Sequence, residues 1–134
     1  MKKAQVIINL LPFAIWMLWF VCQLTDIFAP SDYAIIQLCL LIITPIIFSV
    51  CNTIFAGDKR SLINLNATFS AADIIGYYLS GVLYHRFVSN DTETALVGNT
   101  FTLFLVFYTV VITAICLVVK LLLDKSKHKQ NDRG

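Results

Sequence analysis

Residues 95–123 read ALVGNTFTLFLVFYTVVITAICLVVKLLL, a long run in which Lys120 is the single charged side chain. Such a run is typical of a helix that crosses a membrane, because a bilayer core of about 30 Å takes about 20 apolar residues. Three further apolar segments precede it, and the four together occupy almost the whole chain of 134 residues. We therefore predict an all-α integral membrane protein, built as a four-helix transmembrane bundle.

The composition favours a lipid environment over water. Hydrophobic residues make up 58% of the chain and charged residues 13%, whereas a soluble domain carries about 25% charged residues. We predict a four-span transmembrane domain over residues 1–124, followed by a basic cytoplasmic tail over residues 125–134, which we expect to be disordered. The spans are predicted at about residues 4–28, 33–56, 62–87 and 95–123.

Basic residues are distributed unevenly along the chain. The N-terminus, the loop with Lys59 and Arg60, and the segment from Lys120 to Arg133 hold nine of the ten lysines and arginines, and Arg86 is the tenth. Because lysine and arginine in short loops stay on the cytoplasmic side, we predict that both termini are cytoplasmic. We expect a multi-pass protein of the cell membrane, and the residue usage favours a bacterial inner membrane.

The third predicted span, residues 62–87, is the least apolar and carries a polar stripe. Its polar residues recur at spacings of three and four, which places them on one face of a helix. They are Asn66, Ser70, Asp73 and Tyr77. Beside them Ala72, Gly76 and Ser80 form a ridge of small residues, which lets two helices approach closely. We predict that this span is the most enclosed of the four.

Threonines on two other spans complete the candidate binding site. They are Thr44, Thr109 and Thr113. Counting along the helices places Trp16, Thr44 and Thr109 at the depth of Asp73. The sequence thus predicts one polar stripe on each helix, facing a partly polar centre.

Asp73 is the only charged residue deep inside a predicted span. An ionised carboxylate at the bilayer centre costs about 3 kcal/mol on insertion scales, and intramembrane acids are candidates for functional sites. Two arrangements would avoid or offset this free-energy cost. Either a protonated carboxyl is hydrogen-bonded to Thr44, Thr109 or Tyr77, or a carboxylate faces water, an ion or a basic residue of a partner protein. A purely structural role, as a polar pin between helices, is the alternative to both.

Two prolines, Pro12 and Pro45, lie inside predicted spans. Each removes a backbone donor and clashes with the turn before it. We expect a kink at each that serves packing, rather than a hinge. Thr44 is expected to supply part of the hydrogen bonding that Pro45 removes.

The chain carries no motif for catalysis or for a cofactor. Its four cysteines include no C-x-x-C pair, and its two histidines are isolated. Redox chemistry and metal binding both require such groups at defined spacing. We therefore expect no enzyme activity, no cofactor, no metal and no nucleic-acid partner.

Two functions fit these observations. The first is a small polytopic protein that binds another membrane protein, as an accessory subunit or an immunity-type protein, without catalytic chemistry of its own. The second is a homo-oligomeric transporter or channel for a cation or a proton-coupled substrate, with Asp73 in its path. The expected partners are the lipid bilayer and either another membrane protein or a second copy of the chain.

Overall fold

The computed structural model describes the backbone of residues 3–27, 30–88 and 92–133, and the side chains of residues 3–27, 32–88, 98–127, 129 and 130. These residues form five helices. They are α1 (Lys3–Asn9), α2 (Leu11–Thr25), α3 (Pro30–Phe55), α4 (Lys59–Phe87) and α5 (Thr92–Arg133). The helices α1 and α2 follow one another across Leu10, so the described residues form four helical segments. The predicted all-α class is confirmed.

Among the described residues, three helical segments are long and apolar enough to cross a membrane. They are Lys3–Thr25, Asp32–Phe55 and Gly98–Lys127. The polar side chains of α4, Asp73 included, lower its hydropathy, which keeps α4 out of this group. The three apolar segments give the chain the character of a membrane protein.

Hydrogen bonds join the ends of the antiparallel segments at what we call the basic end. Gln5 Nε2, in α1, donates to the carbonyl of Phe55 at the end of α3 (3.2 Å). Lys120 Nζ, in α5, donates to the carbonyl of Ala56 (3.0 Å). An ammonium group at a helix C-terminus satisfies a free carbonyl and interacts favourably with the helix dipole. The start of α4 at Lys59 lies three residues beyond this carbonyl.

The opposite end is closed by contacts between α2 and α3. Asp26 follows α2 with a left-handed φ of 56°. Tyr33 Oη, in the second turn of α3, donates to the carbonyl of Cys22 near the end of α2 (3.2 Å). The turn from α2 into α3 includes Phe28 and Ala29, where the first span was predicted to end, and these two residues lie outside the described part of the chain.

The helix α4 packs against every other helix, and most extensively against α2 and α5. It approaches α2 closely at Gly76, where an added Cβ would lie 3.0 Å from Phe13 Cα and 3.2 Å from Trp16 Cδ1. Ala72 and Ser80, the other members of the predicted ridge, are also buried. A glycine at position 76 therefore lets the backbones of α2 and α4 come together.

The two prolines lie in different settings. Pro12 is near the first residue of α2, where the helical segment is interrupted. Pro45 lies inside α3, and Tyr108 Oη of α5 donates to the carbonyl of Ile42 in the preceding turn (2.9 Å). This carbonyl is not the one that Pro45 frees, because the missing proline N–H would have bonded to the carbonyl of Leu41, four residues earlier. The expectation that Thr44 supplies part of the lost hydrogen bonding therefore stays a prediction.

The boundaries of α4 and α5 differ from the prediction. α4 begins at Lys59 because the Asp58 side chain caps it, accepting a hydrogen bond from the Ser61 N–H (2.8 Å). This backbone hydrogen bond holds the pKa of Asp58 below its ordinary value. α5 continues to Arg133, so the expectation of a disordered tail is wrong. Its last turns hold lysines and a glutamine, which are good helix formers, and no glycine or proline lies between Lys120 and Gly134.

We expect Gly76→Ala to destabilise the protein. The new methyl group would meet the backbone of Phe13, and overpacking of this kind costs about 1–3 kcal/mol. Gly81→Ala is the matched control, since a Cβ at position 81 has no atom within 4 Å and alanine is the better helix former. The measurement is the free energy of unfolding in mixed micelles titrated with dodecyl sulfate. Equal stability of the two variants would contradict the close α2–α4 approach.

Candidate functional site

A network of side-chain amides crosses the bundle near its basic end. Asn9 and Asn52 exchange two hydrogen bonds, of 3.0 and 2.8 Å. Asn52 Nδ2 also donates to Asn66 Oδ1 (2.8 Å), and Asn66 Nδ2 donates to Thr113 Oγ1 (3.2 Å). We call these four residues the amide network. Each belongs to a different one of the four helical segments, so the network ties all of them together.

The amide network is removed from solvent. Asn9, Asn52 and Asn66 are all buried, and Asn66 is 0% exposed. An amide transferred to an apolar environment without a partner costs roughly 2–7 kcal/mol. Since Asn52 Nδ2 uses its two protons on two different acceptors, the pairing here is close to complete. From the sequence Asn66 and Thr113 were candidate site residues, and the structure joins them directly.

Asp73 lies further along α4 and is wholly buried, with 0% of its surface exposed. Trp16 Nε1 donates to Asp73 Oδ1 (2.7 Å). The other oxygen, Oδ2, is also buried and has no hydrogen-bond partner among the described residues. Counting residues along the helices predicted that Trp16 lies at the depth of Asp73. Its indole N–H was not predicted to be the donor, because a tryptophan in an apolar span is usually interpreted as a packing residue.

Tyr77, one turn beyond Asp73, belongs to a second chain of hydrogen bonds. Trp19 Nε1 donates to Gln37 Oε1 (3.4 Å), and Gln37 Nε2 donates to Tyr77 Oη (3.3 Å). The ring of Tyr77 also meets the ring of Trp16 edge to face, with centroids 4.9 Å apart. Tyr77 therefore links Trp16, the donor to Asp73, with Gln37 of α3.

The remaining predicted site residues do not gather around Asp73. Thr44 and Thr109 are buried and Ser70 is half-buried. Thr109 Oγ1 donates to the carbonyl of Val106 on its own helix (3.0 Å). In the described part of the chain, no hydrogen bond joins Ser70, Thr44 or Thr109 to the carboxyl of Asp73, because helical hydroxyls bond back to their own backbone.

A pocket of about 440 Å³ lies toward the opposite end, between α2, α3, α4 and α5. We call it the aromatic pocket. Its aromatic lining is Trp19, Tyr33, Tyr77, Tyr78 and Tyr84. Its polar lining includes Gln23, Gln37, His85, Asn99 and Thr102. No Asp, Glu, Lys or Arg occurs among the described residues that line it. This pocket could not be predicted from the sequence, because tyrosines near a helix end are also typical of the membrane interface.

Two other kinds of site find no support in the geometry. Within the described ranges, no group of three or more His, Cys, Asp or Glu is placed to hold a metal ion. The four cysteines are free thiols. The arrangement is suited to tying helices together and to holding a ligand in the aromatic pocket.

Comparison with known proteins adds no assignment. No protein-family model matches the chain, and neither a curated protein sequence nor a solved structure matches it. The function has to be argued from the geometry of the chain itself.

We expect Asn52→Leu to destabilise the protein by about 1–3 kcal/mol, since it removes the donor to the buried side-chain oxygens of Asn9 and Asn66. Asn64→Leu is the matched control, because Asn64 also lies on α4 but is exposed. The measurement is again the free energy of unfolding in mixed micelles. If both variants unfold at the same dodecyl sulfate fraction, the amide network contributes nothing to stability.

Proposed function

We propose that the chain is a multi-pass protein of the cell membrane in which all four helical segments cross the bilayer. Three of them are apolar enough by themselves. Support for α4 as the fourth comes from its length of 29 residues, about 44 Å at 1.5 Å per residue, and from the burial of Asn66 and Asp73 against the other helices. Its exposed face carries Ile63, Ile75 and Val82, which suit contact with lipid.

The proposed orientation has both termini in the cytoplasm. The hydrogen bonds of Gln5 and Lys120 gather the start of α1, the end of α3 and the α5 lysine at one end of the bundle. Lys59 and Arg60 begin α4 at that same end, whereas Arg86 lies in the last turn of α4. Basic residues near the ends of spans are retained on the cytoplasmic side.

We expect a green fluorescent protein fused to the C-terminus to fluoresce, because it folds in the cytoplasm. Alkaline phosphatase fused at the same point should be inactive, and phosphatase fused after residue 90 should be active, because it requires export. The readouts are cell fluorescence and phosphatase activity at matched expression. The reverse pattern would overturn the orientation.

Within this membrane bundle we propose that the chain acts by binding another membrane protein, as an accessory subunit or an immunity-type protein, without catalysis. The supporting observation is the closed centre. The buried Asn9, Asn52 and Asn66 lie across the bundle near its basic end and bond to one another. A solute moving along the axis of a single chain would have to break this network, so binding through the outer surface is the better-supported role.

The surface that best suits a partner helix is a groove beside α4. It has a volume of about 430 Å³ and lies where α1 gives way to α2. Its lining is Leu10, Phe13, Thr68, Ala71, Ala72 and Ile75. Small side chains let a second transmembrane helix come close. Asp73 is fully buried, so the arrangement in which its carboxylate meets a basic residue of the partner is not retained in this proposal.

We expect Ala71→Leu to reduce recovery of a partner protein from native membranes by about tenfold, because filling the groove costs about 1–3 kcal/mol at the interface. Ala67→Leu is the matched control, since Ala67 is exposed on α4 one turn earlier and does not line the groove. The measurement is the composition and mass of the complex purified in mild detergent. Equal recovery by both variants would exclude the groove as the binding surface.

A transporter that works as a homo-oligomer is the second candidate, favoured by one observation. Asp73 Oδ2 is buried without a hydrogen-bond partner among the described residues, as an ion or proton site requires. Asp73→Asn keeps a carbonyl oxygen for Trp16, so the fold should persist. A pure homo-oligomer whose flux into liposomes is lost in Asp73→Asn would favour this candidate over partner binding.

A further inference from the structure

The aromatic pocket has the size and lining of a ligand site. Its volume of about 440 Å³ falls within the roughly 300–1,000 Å³ of typical small-molecule pockets, which combine apolar walls with a few polar groups. We propose that it binds an uncharged, ring-containing lipophilic molecule that carries a carbonyl oxygen. This site is separate from the groove on α4, so the proposed ligand binding can be tested independently of the proposed partner binding.

The absence of charge in the lining indicates a neutral ligand. The described lining contains rings, amides, hydroxyls and an imidazole, and no carboxylate, lysine or arginine is among it. A charged group buried without a counter-charge carries a large desolvation cost. An uncharged molecule with ring faces would instead pack against Trp19 and Tyr77, where aromatic pairs contribute about 0.5–1.5 kcal/mol beyond their buried area.

The hydroxyl of Tyr77 supplies the donor for a carbonyl. Tyr77 Oη accepts a hydrogen bond from Gln37 Nε2, and Gln37 in turn accepts from Trp19 Nε1. Its own proton has no acceptor among the described residues. The chain of bonds fixes the oxygen and leaves this proton at the pocket wall. A carbonyl oxygen of the ligand would accept this hydrogen bond from the Tyr77 hydroxyl.

A second polar atom in the pocket also lacks a partner. His85 lines the pocket, and its Nδ1 is buried with no hydrogen-bond partner among the described residues. An imidazole nitrogen either donates or accepts. It therefore offers a further hydrogen bond to a ligand that has a second polar group.

Two residues of the pocket wall are also exposed on the surface of α4. Tyr78 and Val82 line the pocket and are 51% and 44% exposed. In a membrane this side of α4 faces lipid. A ligand that partitions into lipid would reach the pocket by this route, which favours a lipophilic molecule over a water-soluble one.

Three naphthalenes of similar shape test the proposal. They are 2-acetylnaphthalene, with a carbonyl; 2-ethylnaphthalene, without one; and trimethyl(2-naphthyl)ammonium, a cation. Binding to the full chain in lipid nanodiscs is measured by saturation-transfer NMR against empty nanodiscs, with affinity expressed per mole fraction of probe in lipid. We expect the acetyl probe to bind about fivefold more tightly than the ethyl probe, as one net hydrogen bond allows. The cation should bind more weakly than both.

Two variants assign the binding to this pocket. Gly81→Leu should abolish binding of the acetyl probe, because position 81 lines the pocket and its Cβ has open space within 4 Å. Ala67→Leu, on the same helix but outside the pocket, should leave binding unchanged. Tyr77→Phe should lower the affinity for the acetyl probe about fivefold and leave that for the ethyl probe unaltered.

Each contrary result overturns a stated part of the proposal. Undiminished binding of the acetyl probe to Gly81→Leu, or no binding to the original chain, removes the pocket as a site. Equal affinity for the acetyl and ethyl probes would show that the pocket does not recognise a carbonyl oxygen. Tightest binding of the ammonium probe replaces the neutral ligand with a cation held by ring faces.

Discussion

Every polar group that α4 carries into the apolar interior needs a partner there, and this requirement governs the placement of the other helices. An unpaired amide in an apolar environment costs roughly 2–7 kcal/mol. Asn66 is satisfied by α3 and α5, through Asn52 and Thr113. One carboxyl oxygen of Asp73 is paired by α2, through Trp16. Because these partners come from three different directions, α4 becomes the helix that all the others pack against.

The close approach at Gly76 and the hydrogen bond to Asp73 form a single contact. Positions 73 and 76 are three residues apart and share a helical face. The Trp16 side chain lies against Gly76, and its Cβ is 3.3 Å from the position that a Cβ at residue 76 would occupy. The indole N–H of the same side chain donates to Asp73. A larger residue at position 76 would push α2 outward and lengthen this bond. The small-residue ridge therefore supports the buried acid as well as helix packing.

The sequence predicted the inward face of α4 but not its partners. Spacings of three and four were enough to place Asn66, Asp73 and Tyr77 on one side, since a helix has a fixed period. Partners depend on the offset and rotation between helices, which no single segment encodes. The charged tail resembled a disordered segment by composition, whereas its lysines and its glutamine favour the continuation of α5.

The two ends of the bundle differ in how they are filled. At the basic end, reciprocal amides close the centre and tie four segments together. Toward the opposite end the aromatic pocket remains, and its wall is held by Gln37, which bonds to Trp19 of α2 and Tyr77 of α4. A wall fixed in this way needs little ordering when a ligand binds. Tyr77 also touches the ring of Trp16, the donor to Asp73. An occupant that displaces Tyr77 would therefore act on the buried acid through Trp16, while the amide network keeps the basic end in place.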